Sequence, residues 1–336
     1  MVKQWVKPWI WVLGKGLSLP AAPHNLAQGP AKAEADAYAA ARAAAAQTLG
    51  LRGDSESLAA AAALTFTGPP TRSKTDTAKA ASAAEELAVK AGEVAPDNMA
   101  ISWLRLHLCA SAPDCDIRDA ATNMRWEDAD NAAAWLPTLA AAQKERDTRQ
   151  VDRVLSEMAQ SARFYLYVNR ATVMLFDALE RARPKLPRNY AASDLARLTE
   201  AMGVAGAAVM PSFSPVINAC REAGAMERRE SCLTLSKLMQ KADASMTQLV
   251  GFAIEKRLTS ADSKEQREIA ERRRLLEWRI ASANISDTPL LPWLRNARAR
   301  SRLAKMRAMP REEDVYVALM REHGMPLEPP EEHRVR

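Results

Sequence analysis

Apolar positions recur at helical spacing along most of the chain, from about residue 31 to residue 323. Apolar side chains at i, i+3 or i+4 and i+7 form the stripe by which an α-helix packs on its neighbours. Alanine dominates the apolar set, in runs such as AYAAARAAAAQTLG and SLAAAAALTF, and alanine has the highest helix propensity. The pattern therefore predicts an all-α fold of antiparallel helical hairpins with little or no β structure.

Capping residues, glycines and prolines divide this pattern into elements. Asp54 or Ser55 is placed to cap one helix, and Ser193 or Asp194 to begin another after Pro184 and Pro187 have ended its predecessor. Gly324 is placed as a C-terminal cap. Helices are predicted at 31–49, 54–66, 76–91 (ending at Gly92), 243–258, 263–283, 290–308 and 311–323.

Composition shifts along the chain indicate five segments. They are an irregular N-terminal segment (1–30), N-terminal helices (31–92), helical hairpins (93–210), a C-terminal helical region (211–323) that contains a basic helix (290–309), and an irregular tail (324–336).

Two stretches within the hairpin segment repeat each other. PDNMAISWLRLHLC at 96–109 and DADNAAAWLPTLAAA at 128–142 share an Asp-Asn turn, small residues and a Trp-Leu pair, and Trp103 and Trp135 are 32 residues apart. Asn98 and Asn131 stand where a helix N-cap is wanted. A further step of 32 residues reaches Tyr167, where a degenerate third unit is predicted. An internal period of this size is typical of stacked helical hairpins.

The segment 96–161 resembles a tetratricopeptide repeat. The matching positions are Asp130, Asn131, Trp135, Asp147 and Ala159. It departs from that family in having Thr138-Leu139 where the family has Leu-Gly, Pro137 early in the first helix, and no Tyr in the following turn. The resemblance implies hairpins stacked in a right-handed superhelix whose concave surface binds another protein.

The four cysteines fall in two close pairs, Cys109 with Cys115 and Cys220 with Cys232, each beside a predicted interhelical turn. In an oxidising compartment this spacing predicts two local disulfides. The alternatives are four buried free thiols in the cytoplasm, or a zinc site on His107, Cys109 and Cys115, which lacks an evident fourth ligand. We therefore expect a periplasmic or secreted protein, with a cytoplasmic one as the alternative.

The first thirty residues bear on the same question. Lys3 and Lys7 precede a short apolar run that Lys15 interrupts, as in an atypical signal peptide. Alternatively, indole rings favour the membrane interface, which predicts peripheral membrane contact through Trp5, Trp9 and Trp11. The paired cysteines, the DADNAAAWL stretch and the HGMPLEPP ending resemble uncharacterised exported bacterial helical proteins, a likeness that implies no site residues.

No catalytic motif accompanies the histidines. The four of them, His24, His107, His323 and His333, stand outside any recognisable hydrolase or zinc motif, and the 12 glycines form no phosphate-binding loop. The sequence therefore predicts no catalytic residue, no cofactor and no metal.

The basic stretch LLPWLRNARARSRLAKMRAMPR at 290–311 is the candidate contact surface. Arg295, Arg298 and Arg302 share one helical face with Lys305 nearby, and the stretch contains no acidic residue. Such a strip fits an acidic protein, a phosphate backbone or an anionic lipid surface; its structural alternative is a solvated face near acidic neighbours such as PREED. The net charge of +6 is modest and no aromatic residues are interleaved, so nucleic acid is not the expected partner.

Trp103, Trp126 and Trp135 either line a ligand groove or anchor the core, and we expect the core. The functional hypothesis is a non-enzymatic helical-repeat protein that mediates protein–protein interaction in the bacterial envelope. Two alternatives remain open. One is an immunity or inhibitor protein that neutralises a toxin or enzyme; the other is an envelope hydrolase whose site is assembled from dispersed carboxylates.

Overall fold

A computed structural model describes residues 30–68, 73–183, 193–221, 226–285 and 292–330. Within these ranges the chain forms fifteen α-helices and no β-strand, which confirms the all-α prediction. The helices are α1 (Pro30–Gly50), α2 (Ser55–Phe66), α3 (Lys74–Val94), α4 (Met99–Cys109), α5 (Ile117–Glu127), α6 (Leu136–Lys144), α7 (Thr148–Gln160), α8 (Val168–Ala182), α9 (Asp194–Val209), α10 (Ser214–Arg221), α11 (Met226–Met239), α12 (Ser245–Leu258), α13 (Lys264–Ile285), α14 (Pro292–Ala308) and α15 (Glu312–Glu322).

Several sequence predictions lie outside the described residues. They concern the N-terminal segment with Trp5, Trp9 and Trp11, the helix-ending Pro184 and Pro187, and the last residues of the tail. The stacking of the hairpins as a right-handed superhelix stays a prediction.

The predicted helix starts are confirmed by side chains that accept hydrogen bonds from first-turn amides. Asp54 accepts from Ser57 N at 2.9 Å, Asn98 from Ala100 N at 3.2 Å, and Asp147 from Gln150 N at 3.0 Å. Ser193 Oγ accepts from Ala196 N at 3.1 Å. These bonds satisfy amides that the first turn of a helix leaves without an acceptor.

Several helix boundaries differ from the sequence prediction by a few residues. After Asn131 the chain makes a 3-10 turn, Ala132–Trp135, and the α-helix begins only at Leu136. Pro137 explains this, because proline has no N–H to donate and is tolerated in the first turn of a helix. The third helix does not end at Gly92 but continues to Val94, which places Val94 on the surface with 57% of its area exposed.

Helix α2 is the centre of the N-terminal half. It packs against α1, α3, α4, α8 and α9, and the five alanines 59–63 are at most 1% exposed. A helix that is apolar on every side is buried, and the small alanine side chain lets several helices approach it at once. One hydrophobic cluster extends from there through the hairpins to α14 and α15.

Among the described residues no single helix is long and apolar enough to cross a membrane. The bent pair Asp194–Val209 and Ser214–Arg221, with 51° between its halves, meets that test of length and composition.

Helix α12 approaches α11 closely at Gly251. A Cβ atom there would lie 2.7 Å from Ser236 O and 2.9 Å from Met239 Cβ, so the two helices would have to separate. We expect Gly251→Ala to lower the free energy of unfolding by about 1–3 kcal/mol, the usual cost of overpacking.

Gly203 on α9 provides the matched control for this substitution, because a Cβ atom there would meet nothing within 4 Å. Gly203→Ala should raise stability by about 0.4–1 kcal/mol, since alanine restricts the unfolded chain and favours helix. Urea unfolding of both variants measures the difference. Changes of the same sign would contradict the close approach at Gly251.

Candidate interaction surface

The repeated Asp-Asn turn is the anchor of the hairpin segment. Asn131 is fully buried, and its amide nitrogen donates to Asp128 Oδ2 at 2.8 Å and to Tyr165 O at 2.9 Å. Its oxygen accepts from Ala133 N at 3.1 Å and from Tyr165 N at 2.9 Å. One side chain thus uses both donors and both lone pairs, and it ties the corner between α5 and α6 to the segment that enters α8.

Asp128, only 2% exposed, extends this anchor. It accepts a 2.6 Å hydrogen bond from the Tyr167 hydroxyl and forms an ion pair with Arg163. Tyr167 adopts a left-handed conformation, with φ of 58°, where the chain turns into α8. Burial, and then the adjacent Asp128 carboxylate, raise the pKa of Tyr167 above its usual range.

A second buried acid joins this segment to the C-terminal helices. Asp243 is 2% exposed and accepts from Leu166 N at 2.8 Å and Tyr167 N at 2.6 Å. Its own carbonyl accepts from Glu312 N at 2.8 Å, while Glu312 Oε2 accepts from Ser245 N at 2.7 Å. Asp128 and Asp243 therefore accept hydrogen bonds from other residues of this protein. Neither of them lines either of the two clefts described below.

The environment of Asp243 predicts a pH dependence of stability. Burial raises the pKa of Asp243 to about 7, from 3.8 for the free side chain, although two backbone amides oppose the shift. Between these two pKa values the folded state holds a proton that the unfolded state releases. Asp243 therefore contributes to the free energy of unfolding at low pH, and this contribution is lost as pH rises through 7.

We expect the free energy of unfolding to fall between pH 5 and pH 8 more steeply in the native protein than in Asp243→Asn, which carries no titrating group there. Urea titrations at each pH measure the two slopes. The other titrating groups are common to both proteins, so parallel slopes would show that Asp243 is ionised throughout this range.

The predicted basic strip faces inward over part of its length. Arg302 is only 6% exposed; its Nη1 donates to Asn284 Oδ1 at 3.2 Å and its guanidinium lies 5.8 Å from the centre of the Tyr316 ring. Lys305 donates to Ser301 Oγ at 2.7 Å and pairs with Glu322. The surface position expected for Arg302 is therefore wrong.

The spacing of the helix explains this outcome. Arg302 follows Ala299 by three residues and precedes Met306 by four, and both of these are core residues at 3% and 4% exposure. Residues three and four apart share one helical face, so the arginine turns inward with them. Arg295 and Arg298 are half-buried, and their role in partner binding stays a prediction.

The three tryptophans of the hairpins differ. Trp103 is 2% exposed and its indole N–H donates to Val209 O at 2.9 Å, which confirms the core prediction for this residue. Trp135 is half-buried, with the Arg125 guanidinium 4.7 Å from its ring centre. For Trp126 the core prediction is wrong, because 89% of its surface is exposed.

The position of Trp126 within α5 accounts for its exposure. The buried face of this helix carries Ala120, Ala121 and Met124, with Ile117 beside them. At 100° per residue, the nine steps from Ile117 to Trp126 bring it to the opposite face. The helical periodicity of IRDAATNMRWE therefore contained the signal that identifies Trp126 as a surface residue.

Arg125, the neighbour of Trp126 in the chain, lines a groove. The groove has a volume of about 360 Å³ and lies between α5, α6 and the turn into α7, with Ala121 and Pro137 among its apolar walls. Arg125 donates to Thr138 Oγ1 at 2.6 Å and to Thr122 Oγ1 at 2.8 Å. Burial lowers the pKa of Arg125, and no carboxylate among the described residues forms an ion pair with it.

A larger cleft of about 640 Å³ lies between the α3–α4 corner, α8 and the end of α14. Its apolar lining includes Val94, Val173, Met174 and Met306. Its acidic lining residues and its basic lining residues lie on different elements. Glu56 and Asp97 belong to α2 and the α3–α4 corner, whereas Arg170 and Arg307 belong to α8 and α14.

Both predicted cysteine pairs lie at disulfide distance. The Cα atoms are 5.3 Å apart for Cys109 and Cys115 and 5.6 Å apart for Cys220 and Cys232. The pairs are bonded, which is consistent with an oxidising compartment. Within the described ranges no three His, Cys, Asp or Glu side chains are grouped so as to hold a metal ion, and His107 instead packs edge-on against Phe66.

Comparisons of the chain with known protein families, curated proteins and solved structures found no match.

Proposed function

We propose that this protein is a non-enzymatic helical scaffold that binds another protein through the surface of α5 around Trp126. The observation that carries the proposal is the 89% exposure of that side chain. A tryptophan presents about 150–250 Å² of surface, and at roughly 25 cal/mol per Å² its burial against a partner contributes about 4–6 kcal/mol before the costs of association. Tryptophan is accordingly one of the residues most enriched among interface hot spots.

The support beneath Trp126 is rigid. Ala121 and Met124 fix the inner face of α5 in the core at 1% and 2% exposure, and the buried Asn131 anchor follows directly after the helix. A side chain that presents its contact surface on a fixed helix loses little conformational entropy when a partner binds. This preorganisation suits recognition by repeated helical hairpins.

The compartment proposed for this activity is the bacterial periplasm or the exterior of the cell. Two bonded cysteine pairs support it, because disulfides persist where glutathione and thioredoxin do not reduce them. Alkylation of the protein taken directly from its native host, followed by intact mass measurement, tests this. We expect no thiol to react without reductant and four to react after reduction; four reactive thiols at the outset would contradict both the bonds and the compartment.

The binding proposal is tested by reversible crosslinking and affinity capture from the native host. The native protein is compared with Trp126→Ala and with the double variant Arg295→Glu/Arg298→Glu, which tests the basic strip of the inhibitor alternative without touching buried Arg302. We expect a stoichiometric partner that is lost only with Trp126→Ala. Retention by Trp126→Ala with loss in the arginine variant would instead favour a charged interface on α14.

A further inference from the structure

We propose that the 640 Å³ cleft binds a short peptide that has apolar side chains and free amino and carboxyl termini. This activity is separate from the Trp126 surface, because the cleft is built from α2, α3, α4, α8 and α14 and shares no residue with α5. Its volume falls in the range of about 300–1,000 Å³ that is typical of small-ligand sites.

The charges around the cleft are separated by sign. Two of the four lining charges are already neutralised, since Glu56 pairs with Arg181 at 3.3 Å and Arg307 pairs with Asp177. The other two, Asp97 and Arg170, form no ion pair with any described residue. One carboxylate and one guanidinium therefore remain on different walls, and their charges complement a ligand that carries an ammonium group at one end and a carboxylate at the other.

Arg170 is the better defined of these two groups. Its guanidinium lies 6.0 Å from the centre of the Tyr167 ring, and Tyr167 is itself fixed by Asp128 at 2.6 Å and Asp243 at 2.6 Å. The buried polar network thus fixes the Tyr167 ring, against which the Arg170 guanidinium lies. A planar guanidinium binds a carboxylate through two parallel hydrogen bonds, which makes it suited to a peptide C-terminus.

The floor between these charges is apolar. Ala100, Met174 and Met306 are 3–6% exposed and form a surface that cannot hydrogen-bond to a ligand, while Val94 stands exposed at the rim. Methionine side chains adapt to ligands of different shape because they are unbranched and polarisable. The termini would therefore fix the orientation of the peptide, and the floor would accept a range of apolar side chains.

Titration calorimetry with the tripeptide Leu-Leu-Leu tests the proposal. The full chain is compared with Arg170→Gln and Asp97→Asn, and the free tripeptide with its C-terminal amide and its N-acetyl form. We expect Arg170→Gln to weaken binding of the free tripeptide about tenfold, the value of one charged hydrogen-bonded contact, and to leave the amide unaffected. Asp97→Asn should likewise weaken binding of the free tripeptide about tenfold and leave binding of its N-acetyl form unaffected.

Arg321→Gln is the matched control, because Arg321 is exposed on α15 outside the cleft. It should bind all three peptides as the native protein does, and thermal unfolding should be alike in all variants. The proposal is overturned if the native protein does not bind the tripeptide at millimolar concentration, if the amide and the free acid bind equally, or if Arg321→Gln weakens binding as much as Arg170→Gln. None of these outcomes depends on Trp126→Ala, so failure here leaves the proposed function standing.

Discussion

Replacement of Asn131 by alanine is expected to lower the free energy of unfolding by about 3–5 kcal/mol. The side chain makes four hydrogen bonds at zero exposure, and its loss leaves the Asp128 carboxylate and the Tyr165 backbone short of partners in a site that water does not reach. A buried polar group without a partner costs about 1–3 kcal/mol, and several such groups arise here together. Urea unfolding followed by circular dichroism gives the value.

Asn98 is the control, because it stands in the Asp-Asn sequence that resembles the one at Asn131. It is half-exposed, and its side chain makes only the cap hydrogen bond to Ala100 N at 3.2 Å. Asn98→Ala should cost about 1 kcal/mol, the usual value of an N-cap. Equal losses in the two variants would mean that Asn131 also acts only as a cap and that the proposed anchor contributes nothing.

Trp103→Ala should have an effect of similar size, about 3–5 kcal/mol, because it empties a large volume in the core. Trp103→Phe keeps most of that volume but removes the donor to Val209 O, and we expect it to cost about 1–3 kcal/mol. Trp126→Ala, with the same chemical change at an exposed site, should alter stability by no more than about 0.5 kcal/mol.

Thermal and urea unfolding of these three variants measure the series. A loss of several kcal/mol in Trp126→Ala would show that this side chain is packed in solution, and it would remove the basis for a binding role. A small loss in Trp103→Ala would contradict the buried position of this α4 side chain against the end of α9.

Local features of the fold were predictable from the sequence. Asp54, Asn98 and Ser193 cap helices as expected, because a capping side chain and the amides that it binds lie within three residues of each other. The cysteine pairing was predictable for a similar reason, since the two cysteines of each pair are only six and twelve residues apart in the sequence.

Long-range polar contacts were not predictable. Asp243 accepts a hydrogen bond from Leu166 N, 77 residues away, and the sequence around Asp243 carries no pattern that indicates burial.

The burial of Arg302 was not predicted from its charge. Its charge suggests the surface, whereas its position between Ala299 and Met306 places it on the buried face. There Asn284 accepts a hydrogen bond from the guanidinium and the Tyr316 ring lies against it.

Trp126 shows the same conflict between residue type and helical position. Its residue type alone predicts the core, whereas its phase relative to Ile117 and Met124 indicates the solvent side of α5. A large apolar side chain on the polar face of an amphipathic helix is a candidate contact residue, whereas a charged strip that shares the apolar face is partly buried.

Site-specific photo-crosslinking in living cells of the native host tests whether a partner binds at Trp126. A benzoylphenylalanine placed at Asn123, exposed one turn before Trp126 on α5, is compared with the same group at Glu268, exposed on α13. We expect one partner adduct from position 123, lost when Trp126 is replaced by alanine, and no such adduct from position 268. An adduct of equal yield at both positions, or one at position 123 that survives Trp126→Ala, would contradict binding at Trp126.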